Sequence, residues 1–129
     1  MWTYTTYIFG KYCEKCGNEE QKCIDLSFKT FSEFMFDVLW RKQKLVFHDG
    51  EEDLFSDFKY LQKLGIVEIK GEAGKMEEAI LHIKDGEKLS QIVKIVEDSA
   101  ALTGIKLFDE YTRRINLALK EDVCVASPK

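Results

Sequence analysis

In the stretch "CEKCGNEEQKC", Cys13, Cys16 and Cys23 stand close together, and thiolates are the side chains best suited to bind a soft metal or exchange a disulfide. Two residues separate Cys13 from Cys16 and a glycine follows, a spacing at which both sulfurs of a tight knuckle face one ion. A structural zinc ion wants four ligands and no second CxxC follows. Cys124, His48 or His82 would then have to complete a set begun by Cys13, Cys16 and Cys23. The same residues equally fit a disulfide, across a hairpin tip or to Cys124, and they also fit plain free thiols. Redox catalysis at the CxxC would want a helix N-terminus in a βαβ setting, which the surrounding residues do not predict.

Other catalytic chemistry finds little to work with. His48 reads as the end of a strand beside an acidic turn and His82 as part of a later strand, both settings for a hydrogen-bonded structural histidine. No glycine-rich phosphate loop, GxSxG or HExxH pattern occurs. The acidic runs Glu51, Glu52, Asp53 and Asp109, Glu110 suit helix starts and solvated helix faces. An enzyme is not expected.

Composition narrows the class. At 129 residues, 45% of them hydrophobic, the chain can bury one core with appendages. It contains no apolar run long enough for a membrane span and does not begin like a secretory leader, so a cytoplasmic protein without membrane contacts is expected. Sixteen lysines and fourteen glutamates against two asparagines and four glutamines follow the thermophile pattern, which keeps intracellular disulfides open. The net charge of −4 is unfavourable for a polyanion partner, and no quarter of the chain is a basic block: 31–64 and 65–88 each sum to −2, and the two ends balance.

Three segments must position these residues. Threonines and aromatics in 2–12, with "KCIDLSF" returning, predict a cysteine-containing β-ribbon over 1–29. From 30 to 101, Thr30 and Glu33 form a capping box for a helix whose apolar stripe is Phe31, Phe34, Met35, Val38 and Leu39. A short strand "KLVFH" follows, then a helix with Leu54, Phe58, Leu61 and Leu64 inward, ended by Gly65. The tip "GEAGK" separates two hairpin strands, Ile66 to Lys70 and Glu77 to Ile83, and Asp85 caps a helix carrying Leu89, Ile92, Val93 and Val96 on one face. The last segment, 102–129, holds a helix with Phe108, Tyr111, Ile115 and Ala118 at helical spacing and a loose tail.

Helix, strand, helix ending in "DFKYLQKLGIVEIKG", hairpin, helix: this order resembles winged helix-turn-helix proteins of the kind common in archaeal regulators, over roughly residues 31–101. The resemblance implies an α+β fold with a winged-helix core, an N-terminal β-ribbon and C-terminal helices. It further implies DNA binding and transcription regulation, with residues 52–64 as the groove-entering helix and the hairpin touching the backbone. Lys59, Tyr60 and Lys63 on that helix, Lys70 and Lys75 at the wing, and Arg41, Lys42 and Lys44 at the preceding turn are then the DNA contacts. Apolar surface on the last helices would serve a homodimer, unless the N-terminal ribbon covers it. Five acidic and two basic residues in 49–64 point to an alternative, a winged-helix scaffold for a basic protein partner.

Overall fold

A helix stands where the ribbon's first strand was expected. In a computed structural model, which describes residues 2–16, 25–71, 75–103 and 106–120, Trp2–Cys16 forms helix α1. Its β-branched and aromatic content favours a strand, but Thr5, Thr6, Tyr7, Ile8, Phe9 and Gly10 are all buried in succession. A strand would present alternate residues to opposite faces, whereas a helix packed all round buries every one of them. The helix also pairs its own backbone groups, and Thr6 Oγ1 donates to the Trp2 carbonyl at 2.7 Å, which removes its hydroxyl from competition.

The chain continues as β1 (Asp25–Ser27), α2 (Phe28–Glu33) running into a π-helical stretch Phe34–Trp40, and α3 (Glu51–Lys63). After these come β2 (Val67–Lys70), a 3₁₀ turn (Met76–Glu78), β3 (Ile80–Ile83), α4 (Gly86–Thr103) and α5 (Lys106–Lys120). Mixed helix and antiparallel sheet is the α+β class expected. β3 is central, with Leu26↔Leu81 on one side and Ile69↔Leu81 on the other, both antiparallel.

Two more expectations are corrected. Ser27, not Thr30, caps the second helix: its Oγ accepts from the Thr30 N–H at 3.4 Å, because the chain leaves β1 straight into the helix and Phe28 N–H still donates to the Ala79 carbonyl. The "KLVFH" segment is not a strand. Leu45 N–H is taken by the Leu39 carbonyl at 2.8 Å, and Phe47 is fixed by its ring against Tyr4 and Tyr111. The strand in that part of the chain is β1, which pairs with β3 instead of closing an N-terminal ribbon.

The core lies where α1, α2, α3 and the sheet meet. Phe9, Phe31 and Phe58 contact one another edge to face at 5.1–5.6 Å, and Phe28 joins Phe58 at 6.1 Å. Helix α4 approaches α1 at Gly10, where a Cβ would stand 2.5 Å from Val93 Cγ2. Buried Leu89, Val93 and Val96 on α4 and Ile115, Ala118 and Leu119 on α5 belong to the same core. The N-terminal segment thus covers the C-terminal helices, but as a helix. Gly65, at φ +81°, turns α3 into β2, and Asp85 caps α4 through Lys88 N–H at 3.0 Å, as expected. Among the described residues no helix is long and apolar enough to cross a membrane.

Candidate nucleic-acid interface

Helix α3 is held by its buried face, Leu54, Phe58 and Leu61, and by its C-terminal end. Gln62 Oε1 accepts from Ile69 N–H at 2.7 Å, tying the helix to the hairpin, and Lys88 Nζ of α4 donates to the Leu64 carbonyl at 3.0 Å. Lys59, Tyr60 and Lys63 lie exposed on its outer side. Lys59 Nζ rests 5.5 Å from the Phe55 ring centroid. Tyr60 is anchored by Trp2 of α1, ring to ring at 5.2 Å, so it borders the N-terminal helix.

The N-terminal turn of α3 presents Glu51, Glu52 and Asp53 to solvent. Their charges suit the helix dipole, and Glu51 also accepts a hydrogen bond from Ser32 Oγ at 3.0 Å. On the hairpin, Lys70 ends β2 opposite Ile80, and Lys75 precedes the 3₁₀ turn, both exposed. Residues 72–74 of the tip lie outside the described residues.

Arg41, Lys42 and Lys44 occupy the turn that ends the π-helical stretch, and all three side chains are exposed. Lys44 adopts φ 61°, the left-handed region that usually carries glycine. Arg114 of α5 donates to the Gln43 carbonyl in this turn at 2.9 Å.

A buried polar cluster escaped sequence reasoning. Thr5 Oγ1 donates to Asp57 Oδ2 at 2.6 Å, and His48 Nε2 donates to the same oxygen at 2.7 Å while lying 2.9 Å from the Thr5 hydroxyl. Burial alone would raise the Asp57 carboxyl, but the hydrogen bonds from His48 and Thr5 and the His48 charge outweigh it and hold the carboxyl below its ordinary value. His48 Nδ1 is buried with no partner among the described residues. The cluster ties α1, the loop before α3 and α3 itself together. Its only sequence signal was a histidine nine residues before an aspartate. His82 pairs across strands with Asp25 at 2.5 Å, the structural role foreseen for it.

Of the candidate metal ligands, two lie on α1. Cys13 and Cys16 sit in the last turn of α1, and Cys13 is a free, buried thiol pushed up to about 12, first by burial and then by the Glu14 charge. Cys23 and Cys124 lie outside the described residues. Among the described residues no three His, Cys, Asp or Glu side chains are grouped to hold a metal ion.

Compared with protein-family models, with curated proteins and with solved structures, the chain shows no significant match to any of them.

Proposed function

We propose that this chain is a winged-helix nucleic-acid-binding protein acting on DNA as a transcriptional regulator, with α3 as the groove-entering helix and the β2–β3 hairpin as the wing. The observation that carries the reading is the order of elements together with the order of strands. Helix, strand, two helices, strand, hairpin and strand run from Trp2 to Ile83, and the first strand pairs with the last. In this proposal the winged-helix unit extends N-terminally of residues 31–101 to take in α1 and β1. Lys59, Tyr60 and Lys63 are exposed on α3, as groove contacts require, and Lys70 and Lys75 flank the wing tip. Replacing Lys59 and Lys63 together by alanine is expected to lower the dependence of log K on log salt by about 2. An unchanged slope would remove α3 from the interface.

One observation favours the second reading, a scaffold for a basic protein partner. The exposed start of α3 is acidic at Glu51, Glu52 and Asp53, the end that would face the groove. Homodimerisation through α4 and α5 belongs to the proposal in either case, with Ile95 and Leu117 as the large apolar side chains those helices leave exposed among the described residues.

A further inference from the structure

Cations that are far apart in the sequence are neighbours in the fold. Taken separately, 31–64 and 89–129 carry no net positive charge, yet the Arg114–Gln43 hydrogen bond at 2.9 Å seats α5 on the turn bearing Arg41, Lys42 and Lys44. Arg113 stands beside Arg114, with its side chain 62% exposed. Among the described residues Arg41, Lys42 and Lys44 are in no ion pair, so three full charges face water within four positions. Glu110 neutralises part of the arginine pair and is held below the ordinary carboxylate range by hydrogen bonds from Arg113 and Arg114. The nearest exposed acid on the turn's own helix is Asp37, which no cation contacts within salt-bridge distance. In a chain of net charge −4, such a cluster is the local feature whose sign suits a polyphosphate.

Lys44 supplies a second observation. The turn needs a left-handed residue, because the widened helix end closes with Lys44 N–H on the Trp40 carbonyl at 3.0 Å and Leu45 N–H on the Leu39 carbonyl at 2.8 Å. Glycine fits that geometry without strain, whereas a side chain there is disfavoured by its Cβ. Lys44 thus places an unpaired, exposed cation at a backbone position that glycine would fill without strain. Trp40, at the end of the π-helical stretch, is 39% exposed and packs against Phe36 with the rings tilted by 51° at 5.5 Å, so an aromatic face borders the cations.

We infer that Arg41, Lys42, Lys44 and Arg113 form a site for the phosphodiester backbone of duplex DNA, built jointly by the turn after α2 and by α5, with Arg114 as the positioning residue that holds the two elements together. This rests on the nucleic-acid reading but places the main electrostatic contact away from the acidic start of α3, and it gives the C-terminal helix a direct part in binding. Bound phosphates would release counterions from a region the charge of α3 cannot serve.

The test is a fluorescence-anisotropy titration of a labelled mixed-sequence 20-base-pair duplex at several salt concentrations, with wild type, the double variant K44G/R113A and the double variant R41A/K42A. K44G relieves backbone strain, so K44G/R113A should melt no lower than wild type while binding about tenfold more weakly at 0.1 M salt, with the slope reduced by about 2. R41A/K42A should show the same loss of slope, which covers the case of a misfolded first variant. Wild-type slope and affinity in both folded variants, with wild type itself binding, would overturn the site and leave the nucleic-acid reading standing. Failure of wild type to bind at 20 mM salt would overturn both.

Discussion

Asp57 shows how much a single buried carboxylate can set. Its oxygen receives both the His48 Nε2–H and the Thr5 hydroxyl, so removing the charge leaves two donors in a mostly apolar setting. Asp57→Asn is expected to lose about 1–3 kcal/mol at pH 7, measured by urea unfolding. Because the folded carboxyl titrates below its unfolded value, the stabilisation is fully present above the ordinary carboxylate range and is lost as pH falls through the lowered value. The deficit of the variant should therefore shrink toward pH 2. A constant deficit from pH 7 to pH 2 would assign it to packing.

Cys13 makes the opposite case. A thiol pushed up to about 12 by burial stays protonated at pH 8, so iodoacetamide should leave Cys13 unmodified in the native protein and label it after unfolding in guanidinium, as read by peptide mass. Rapid native labelling would contradict its burial. At this scale the sequence named His48 and Cys13 as chemistry-bearing residues but not their settings, because burial of a helical thiol and pairing across 43 or 52 residues are decided by packing that no local pattern encodes.

Among the elements, α1 carries the most weight and was the least legible. Threonine and aromatic content pointed to a strand, and tertiary burial reversed a propensity worth only tenths of a kcal/mol per residue. Where period and punctuation were strong, the reading held: α3 with Leu54, Phe58 and Leu61 inward, the glycine turn at Gly65, the Asp85 cap and the first hairpin strand, whereas the second begins only at Ile80 because Met76–Glu78 coils as a 3₁₀ turn. Gly10 is the contact at which α1 meets α4. Gly10→Val would drive a branched side chain into Val93 and Leu89 and is expected to cost about 1–3 kcal/mol, measured as a lower urea midpoint with unchanged m value. Wild-type stability would mean that the two helices stand further apart.

At the level of the whole molecule, burial and charge bear on assembly and partners. Helix α1 packs on α4 and α5, and among the described residues of those helices Ile95 and Leu117 are the large apolar side chains left exposed, the surface the proposed dimer would use. The dimer predicts a sedimentation mass of two chains in wild type that falls to one in I95K/L117K. A wild-type mass of one chain at all concentrations would contradict it. The exposure of the lysines of α3 and of the turn was legible residue by residue, but the charge balance around them was not. Summation along the chain separates Arg41 from Arg113, and only the packing of α5 on the turn joins them.

The central claim is that this fold binds nucleic acid through its phosphates, and its most direct test is the affinity of the unmodified protein for mixed-sequence duplex DNA measured from 20 to 300 mM salt. Log K should fall linearly with log salt, with a slope of about −3 to −6 for contacts shared between the turn, α5 and α3. Absence of binding at the lowest salt would contradict the claim and transfer the acidic start of α3 to a basic protein partner.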